Sequence, residues 1–323
     1  MSATNDKNML LSVAPMAGYT DQAFRMMCQS FGADEAVTEM VSGRALYHGD
    51  QKSGRLMETD PSEKGVTLQI FGSEPEILAD VTKNILNHRD DYVCIDINMG
   101  CPVPKIVKNG EGAALLKDPD MAARVAEAVV GASVKPVSVK IRTGWDVHSK
   151  NYLEVGKKLA SVGVSRITLH GRTRSQFYTG TADWEAIAEL AEALPIPVIG
   201  NGDIASAKDA LERVQTTRVQ GIAIGRGAVG NPFVFSEIRQ ALAGEPAPEF
   251  SKETRIDTAL RHLSLSVKKK GEALAVIQMR KHLLAYVRGW YGASALKQAI
   301  LEETTEAGVR AVLLDYKEHA GIS

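Results

Sequence analysis

Eight short runs of β-forming residues recur along the first 225 positions of the chain: SVA (12–14), EAVT (35–38), VTLQIF (66–71), YVCIDIN (92–98), PVSVKIR (136–142), RITLHG (166–171), IPVIGNG (196–202) and QGIAIG (220–225). Most are rich in Val and Ile and bounded by Gly, Pro or Asp, as short buried strands are. Between most of them lies a stretch with helical spacing. EPEILADVTKNILNHR (74–89) sets Ile77, Val81 and Ile85 four residues apart, and NYLEVGKKLASVG (151–163) and ADWEAIAELAEALP (182–195) behave alike. SAKDALERVQ (206–215) opens with Ser206, an expected N-cap. Alternation of this kind predicts parallel strands joined by crossover helices. Eight strands in roughly 240 residues match a (β/α)8 barrel in count and size. A doubly wound open sheet is the alternative, with ligand at a single switch point.

The two faces of each run favour the barrel. Val93, Ile95 and Ile97 oppose Cys94, Asp96 and Asn98; Val137, Val139 and Ile141 oppose Ser138, Lys140 and Arg142. Val66, Leu68 and Ile70 oppose Thr67 and Gln69, and Ile167 and Leu169 oppose Thr168 and His170. Strand side chains alternate with period two, so each run has an apolar face for the helices and a polar face for the barrel interior. Gln69, Asn98, Lys140, Arg142 and His170 then aim at one mouth, the C-terminal rim where barrel active sites are built. Each alone reads equally well as a strand-end polar group touching solvent; five together point to a site.

The 323 residues suit one large domain, or one of about 250 residues with a small companion. The character changes at GEPAPEF (244–250), which reads as a linker. Residues 251–323 show no convincing strand and read as three or four helices, near 252–271, 272–289, 293–303 and 305–319. The expected plan is a barrel over 1–243 and a small all-α domain over 251–323. Lys and Arg total 38 against 39 acids, so overall charge is silent about a polyanionic partner. Its distribution is not: residues 252–297 carry ten basic residues against Glu253, Asp257 and Glu272, an excess of seven. That is the electrostatic footprint of a nucleic-acid surface, set against the simpler reading of a solvated helix face.

Apolar residues at 44% and charged residues at 24% exclude disorder and fibrous architecture. Cys28, Cys94 and Cys101 are too few for a disulfide framework and lack zinc-type spacing, so no metal and a reduced, cytoplasmic setting are expected. The segment MSATNDKNMLLSVAPMAG lacks the basic start and long apolar core of a signal peptide, and no stretch approaches a membrane span.

Several motifs could carry chemistry. GRGAVG (225–230) matches a dinucleotide pattern, but no further strand with an acidic residue follows, so that reading fails. In a barrel, loops after the last two strands commonly bind phosphate, and Gly202, Gly225 and Arg226 stand there. Lys140 and His170 on neighbouring inward strands could stabilise an anion formed in reaction, such as a reduced flavin; alternatively Lys140 pairs with Asp96. Cys101, in INMGCPVPK, lies on a loop at the active end, as nucleophile, proton donor or bystander, whereas Cys28 and Cys94 read as small buried hydrophobes. GRTRSQFYTGTADW (171–184) suits phosphate contacts and base stacking, or equally a lid packed on its own aromatics.

Together these pieces resemble the tRNA-dihydrouridine synthases, the bacterial B-type branch above all. The motifs are APMAGYTD (14–21), TEMVS (38–42), LQIFG (68–72), DINMGCPVPKIVKNGEGAALL (96–116), VKIRTGWD (139–146), HGRTRSQFYTGTADW (170–184), IGNGDI (199–204), IGRGAVGNPF (224–233) and MRKHLLAYVRG (279–289). Glu111 departs from the pattern, since relatives usually carry Ala there. The resemblance implies a flavoprotein that uses FMN and NADPH to reduce a uracil C5–C6 double bond in tRNA, with Cys101 protonating C5. It implies that Pro15, Met16 and Ala17 line the flavin, that Gln69, Lys140 and His170 contact its ring and ribityl regions, and that Asn201, Gly202, Asp203, Gly225 and Arg226 hold its chain and phosphate. Asn98 would contact the uracil, and Arg142, Arg172 and Arg174 the RNA. A monomer is expected. A flavin barrel acting on a small molecule, or a tRNA-binding protein with a vestigial barrel, would lack one half of this combination.

Overall fold

The computed structural model describes residues 9–319; segments 1–8 and 320–323, with part of the N-terminal reading and the end of the helical region, lie outside the described residues. Its strands are β1 (Leu10–Val13), β2 (Glu35–Val37), β3 (Val41–Ser42), β4 (Val66–Phe71), β5 (Cys94–Met99), β6 (Val137–Arg142), β7 (Arg166–His170), β8 (Val198–Asn201) and β9 (Gly221–Ile224). They pair in parallel in the order β2-β1-β9-β8-β7-β6-β5-β4-β3, and β2 also pairs with β4. That last pairing closes the sheet. Val37 faces Thr67 and Val41 faces Ile70, so four steps along one strand match three along the other. β3 is thus the bulged continuation of β2, and the barrel has eight staves. An open sheet would leave two edges unpaired; this one leaves none.

The expected runs all form staves, with their ends shifted by a few residues. Val93 departs most: it precedes β5 and is 53% exposed instead of sharing the packed face, because helix cover begins only with Ile95. Leu68, Ile70, Ile95, Ile97, Val139, Ile141, Ile167 and Leu169 are fully buried against Leu78, Val81, Val125, Leu159, Ile187 and Leu190 of the surrounding helices. Each such side chain contributes about 1.5–3 kcal/mol by leaving water. Ser206 caps the helix Ala207–Thr216 as expected, accepting from Asp209 N at 3.1 Å. The crossover helix Pro119–Ala132 lay outside the expected segments; it buries Ala122, Val125, Ala126 and Val129, a weak apolar signal because five of its fourteen residues are alanine.

Four helices follow the barrel: Lys252–Lys270, Glu272–Tyr286, Ala293–Glu302 and Glu306–His319. They enclose a core of their own, with Ile256, Leu263, Val276, Met279, Leu283 and Ile300, into which Phe233 reaches from the end of the barrel. The basic excess of this region is partly internal cement. Lys269 pairs with Asp60 and Lys270 with Asp21, both on the barrel. Arg255 lies over Phe233, and Arg280 donates to Glu303 O. Lys252, Arg261, Lys268 and Arg288 face solvent. Composition counts charges without knowing which are already paired, so the uncommitted positive surface is smaller than the sequence suggested. Among the described residues no helix is long and apolar enough to cross a membrane.

Candidate active site

The barrel interior is a connected polar column. At its foot Arg166 pairs with Glu35, which also accepts from Thr67. Above, Asp96 accepts from Ser138 at 2.6 Å and from Gln69 at 2.7 Å. Burial lifts the Asp96 carboxyl above its ordinary pKa. Gln69 in turn accepts from Asn98 Nδ2 at 2.9 Å, and Asn98 Oδ1 accepts from Gly100 N at 3.0 Å and Cys101 N at 2.8 Å. The sequence placed Gln69 and Asn98 at one mouth. The structure puts Gln69 a layer deeper and gives the Asn98 amide a task of its own, holding the backbone of the cysteine loop. One Asn98 N–H remains uncommitted.

Lys140 stands near the top of this column. Its ammonium donates to Asn201 Oδ1 at 3.0 Å, and Asn201 is itself fixed by donating to Ala223 O at 2.7 Å. Asp96 is occupied by Ser138 and Gln69, so Lys140 has no carboxylate at ion-pair distance among the described residues. Burial, with Arg142 nearby, pulls its pKa down to about 7. A buried ammonium with one acceptor is poised to take an anionic or strongly accepting partner. His170 lies beside it with its pKa pushed well below the ordinary range by burial and by Lys140, Arg142, Arg172 and Arg226. The imidazole is therefore neutral, and Lys140, with its pKa of about 7, is the member of the pair that can carry positive charge near neutral pH.

Across the mouth, two turns form a cradle. A Cβ added at Gly225 would lie 3.3 Å from Met16 Sδ, which brings the loop Pro15–Ala17 against the turn after β9. Gly202, at φ 131°, passes so close to His170 that a Cβ there would meet its ring at 3.3 Å. Asp203, at φ 52°, is held by Arg172 at 2.8 Å and by Arg226 at 3.2 Å. Arg226 is half exposed and lies over Tyr178. Its half-exposed guanidinium is the cationic group an anion at this turn would need.

Cys101 sits on the loop after β5, partly buried, its carbonyl accepting from Ala113 N at 3.0 Å. Burial raises the thiol pKa, only partly offset by a Val103 backbone bond and by Arg142 and Lys140. The thiol therefore stays protonated near neutral pH, which suits a proton donor better than a nucleophile. Arg142 braces this loop. Its Nε donates to Gly100 O at 2.8 Å, and its Nη1 donates to Thr173 O and Phe177 O at 2.9 and 2.8 Å. Arg172 is 2% exposed and bound to Asp203, Thr179 O and Gly180 O, while Arg174 lies between Trp145 and Phe177. Trp184 is buried under Gly200. The 171–184 segment is thus a lid packed on its own aromatics, with Tyr178 as its exposed ring. The bracing role of Arg142 carries no local sequence signal, because it depends on carbonyls contributed by other loops, and Arg172 depends on Asp203 beyond β8; Asn98 instead holds N–H groups of its own loop. Among the described residues no group of three or more His, Cys, Asp or Glu is placed to hold a metal.

Fold and site define a closed (β/α)8 enzyme with a buried cation, an anion cradle and a protonated thiol around one mouth. The chain matches the family model described as dihydrouridine synthase over residues 12–320. It is 41% identical over 286 residues to tRNA-dihydrouridine synthase B of Pseudomonas putida, covering 87% of this chain and 82% of that protein. It is 40% identical over 280 residues to the protein of the same name from Xanthomonas campestris, at 86% and 82% coverage. This chain belongs to the dihydrouridine synthase family, and by that membership it is a flavin-type oxidoreductase. Among solved structures it is similar in fold to histamine dehydrogenase from Rhizobium sp. 4-9, with TM-score 0.52, 11% identity and coverage of 81% of this chain and 51% of that one.

Proposed function

We propose that this chain is a cytoplasmic, monomeric tRNA-dihydrouridine synthase that reduces the C5–C6 double bond of a D-loop uridine, with FMN as resident cofactor and NADPH as reductant. The residues present fit the flavin. Lys140 is an amine with one acceptor and a pKa of about 7, Gly202 leaves no room for a Cβ against Ala182, and Gly225 packs closely on Met16 Sδ, where the ring and phosphate chain would lie. Pro15, Met16 and Ala17 would flank the ring, Lys140 and His170 its polar edge, and Asn201, Gly202, Gly225 and Arg226 its chain and phosphate. Asp203 holds Arg226 and Arg172 in position, and Gln69 supports Asn98 from below. When bound, FMN recharged by NADPH supplies the hydride that adds at uracil C6.

The chain's own part is binding, orientation and the proton. The exposed bases of the helical region and Tyr178 at the mouth would hold RNA whose target base is turned out of its stack. The remaining Asn98 N–H would point at the uracil. As the double bond takes up hydride, its π electrons move to C5, the Cys101 S–H bond breaks and a C5–H bond forms. The thiolate left behind is reprotonated from solvent. The observation that carries this reading is the protonated Cys101 thiol, fixed by Asn98 and Arg142 on the same rim as Lys140. The Cys101→Ala variant is expected to keep its flavin and its tRNA affinity. Its single-turnover reduction of uridine, followed with pre-reduced enzyme, should fall by roughly 10²–10⁴-fold. A wild-type single-turnover rate would remove the general-acid assignment.

A further inference from the structure

A cavity of about 350 Å³ opens beside the cysteine loop, across the barrel from the glycine cradle, and the roles above leave it unused. Phe71 and Ile106 give it apolar walls, Asn109 and Glu111 polar ones, and Arg44 and Lys105 stand at its edge. The wall and the cysteine loop form one packed unit. Lys105 and Ile106 lie on the short helix Pro104–Val107 that follows Cys101. Gly112, at φ 59°, fits so tightly that a Cβ there would lie 2.9 Å from Cys101 O and 3.1 Å from Ile106. Whatever fills the cavity therefore sits next to the loop that carries Cys101.

Glu111 is its distinctive group. It is only 8% exposed, and it has no ion-pair partner among the described residues. Burial raises its pKa; Asn109 and Arg44 offset this in part, and Glu74 adds to it. Asn109 serves part of this carboxylate, and the remainder faces the cavity, where it can accept from further donors. Its two oxygens lie side by side and match two adjacent N–H donors. Guanine presents that pair on its Watson–Crick edge, as N1–H and the exocyclic amine. Uracil sets one donor between two acceptors and would be repelled. Unpaired RNA bases are read in this way, by edge hydrogen bonds between apolar surfaces. Arg44 at the rim, 65% exposed and 3.5 Å from Glu74, and exposed Lys105 are placed for the flanking phosphates.

Building on the RNA-reducing function above, we infer that this cavity binds an unpaired guanine neighbouring the reduced uridine, read by Glu111. The test is equilibrium binding at fixed salt, using holoenzyme and a substrate tRNA. Each guanine near the target is replaced in turn by inosine, which lacks only the exocyclic amine. One replacement should weaken wild-type binding roughly ten-fold. Glu111→Ala should bind both forms alike, and Glu111→Gln should show a reduced preference. Wild-type indifference to every replacement would overturn the inference, as would discrimination that survives in Glu111→Ala. So would an effect of Glu111→Ala confined to flavin reduction by NADPH, which would give the cavity to the reductant. Dihydrouridine formation, measured alongside in both proteins, reports separately on the underlying function.

Discussion

At the scale of single residues, the site depends on groups that hold other groups. Asn98 and Arg142 fix the cysteine loop from below and from the side, through backbone atoms of Gly100 and Cys101. Arg142 also ties that loop to the lid at Thr173 and Phe177. Removing it leaves three carbonyls without their charged donor and frees the thiol to move. A displacement of about 1 Å at a reacting group costs on the order of a hundred-fold in rate. The Arg142→Gln variant is therefore expected to lose about that much in kcat while retaining its flavin. Flavin content by absorbance and turnover on tRNA, measured on one preparation, check the separation; a parallel loss of both would make Arg142 a cofactor ligand instead.

At the scale of elements, the cradle depends on two turns packed against each other. A Cβ at Gly227 would lie 2.2 Å from Ile204 O and 2.8 Å from Ala205 Cα, backbone atoms that no rotamer change can clear. The turn after β9 must therefore lift away from the turn after β8 if any side chain is added. Gly227→Ala is expected to cost about 1–3 kcal/mol of stability. It should also weaken retention of FMN, read as flavin lost during dialysis. Unchanged melting temperature and flavin content would show that the two turns are not coupled. The extra residue between β2 and β3 illustrates the same dependence: the bulge carries the chain from the barrel wall to the short helix Gly43–Tyr47 that holds Arg44, beside the cavity.

Across the whole molecule, barrel and helical region are joined by a buried seam. His262 and His282 of the helical region pack on Phe24 of the barrel, and Tyr19 meets His282 edge-on. Asp21, Lys270, Lys281, Cys28 and Tyr286 surround them. Burial lowers the His262 pKa to about 4 and holds that of His282 well below its ordinary range. Both rings are neutral in the fold, whereas an unfolded imidazole takes a proton near pH 6.5. Above that value both states are neutral and the pair has no effect. As pH falls from about 6.5 toward 4 the unfolded chain binds protons that the folded one refuses, so stability is lost. For His262 alone this amounts to roughly 3 kcal/mol. Thermal melts across this window should show a falling midpoint, and a His262→Gln, His282→Gln double variant should flatten the slope. An unchanged slope would place the acid sensitivity elsewhere.

Alternating polarity along short runs, and their spacing between amphipathic helices, determined the barrel, its polar interior and the mouth toward which Lys140, Asn98 and His170 point. Those signals are local, since period two and period 3.6 are properties of contiguous chain. The family motifs likewise pointed to Cys101 and the glycine turns. Only the tertiary structure decided which charges remain free. It turned Lys269 and Lys270 inward to Asp60 and Asp21, buried Arg172 on Asp203, made His170 neutral and left Glu111 facing a cavity. The reason is physical: the charge state and availability of a side chain are set by burial and by partners dozens to hundreds of residues away. No local pattern records those distances until the chain has closed.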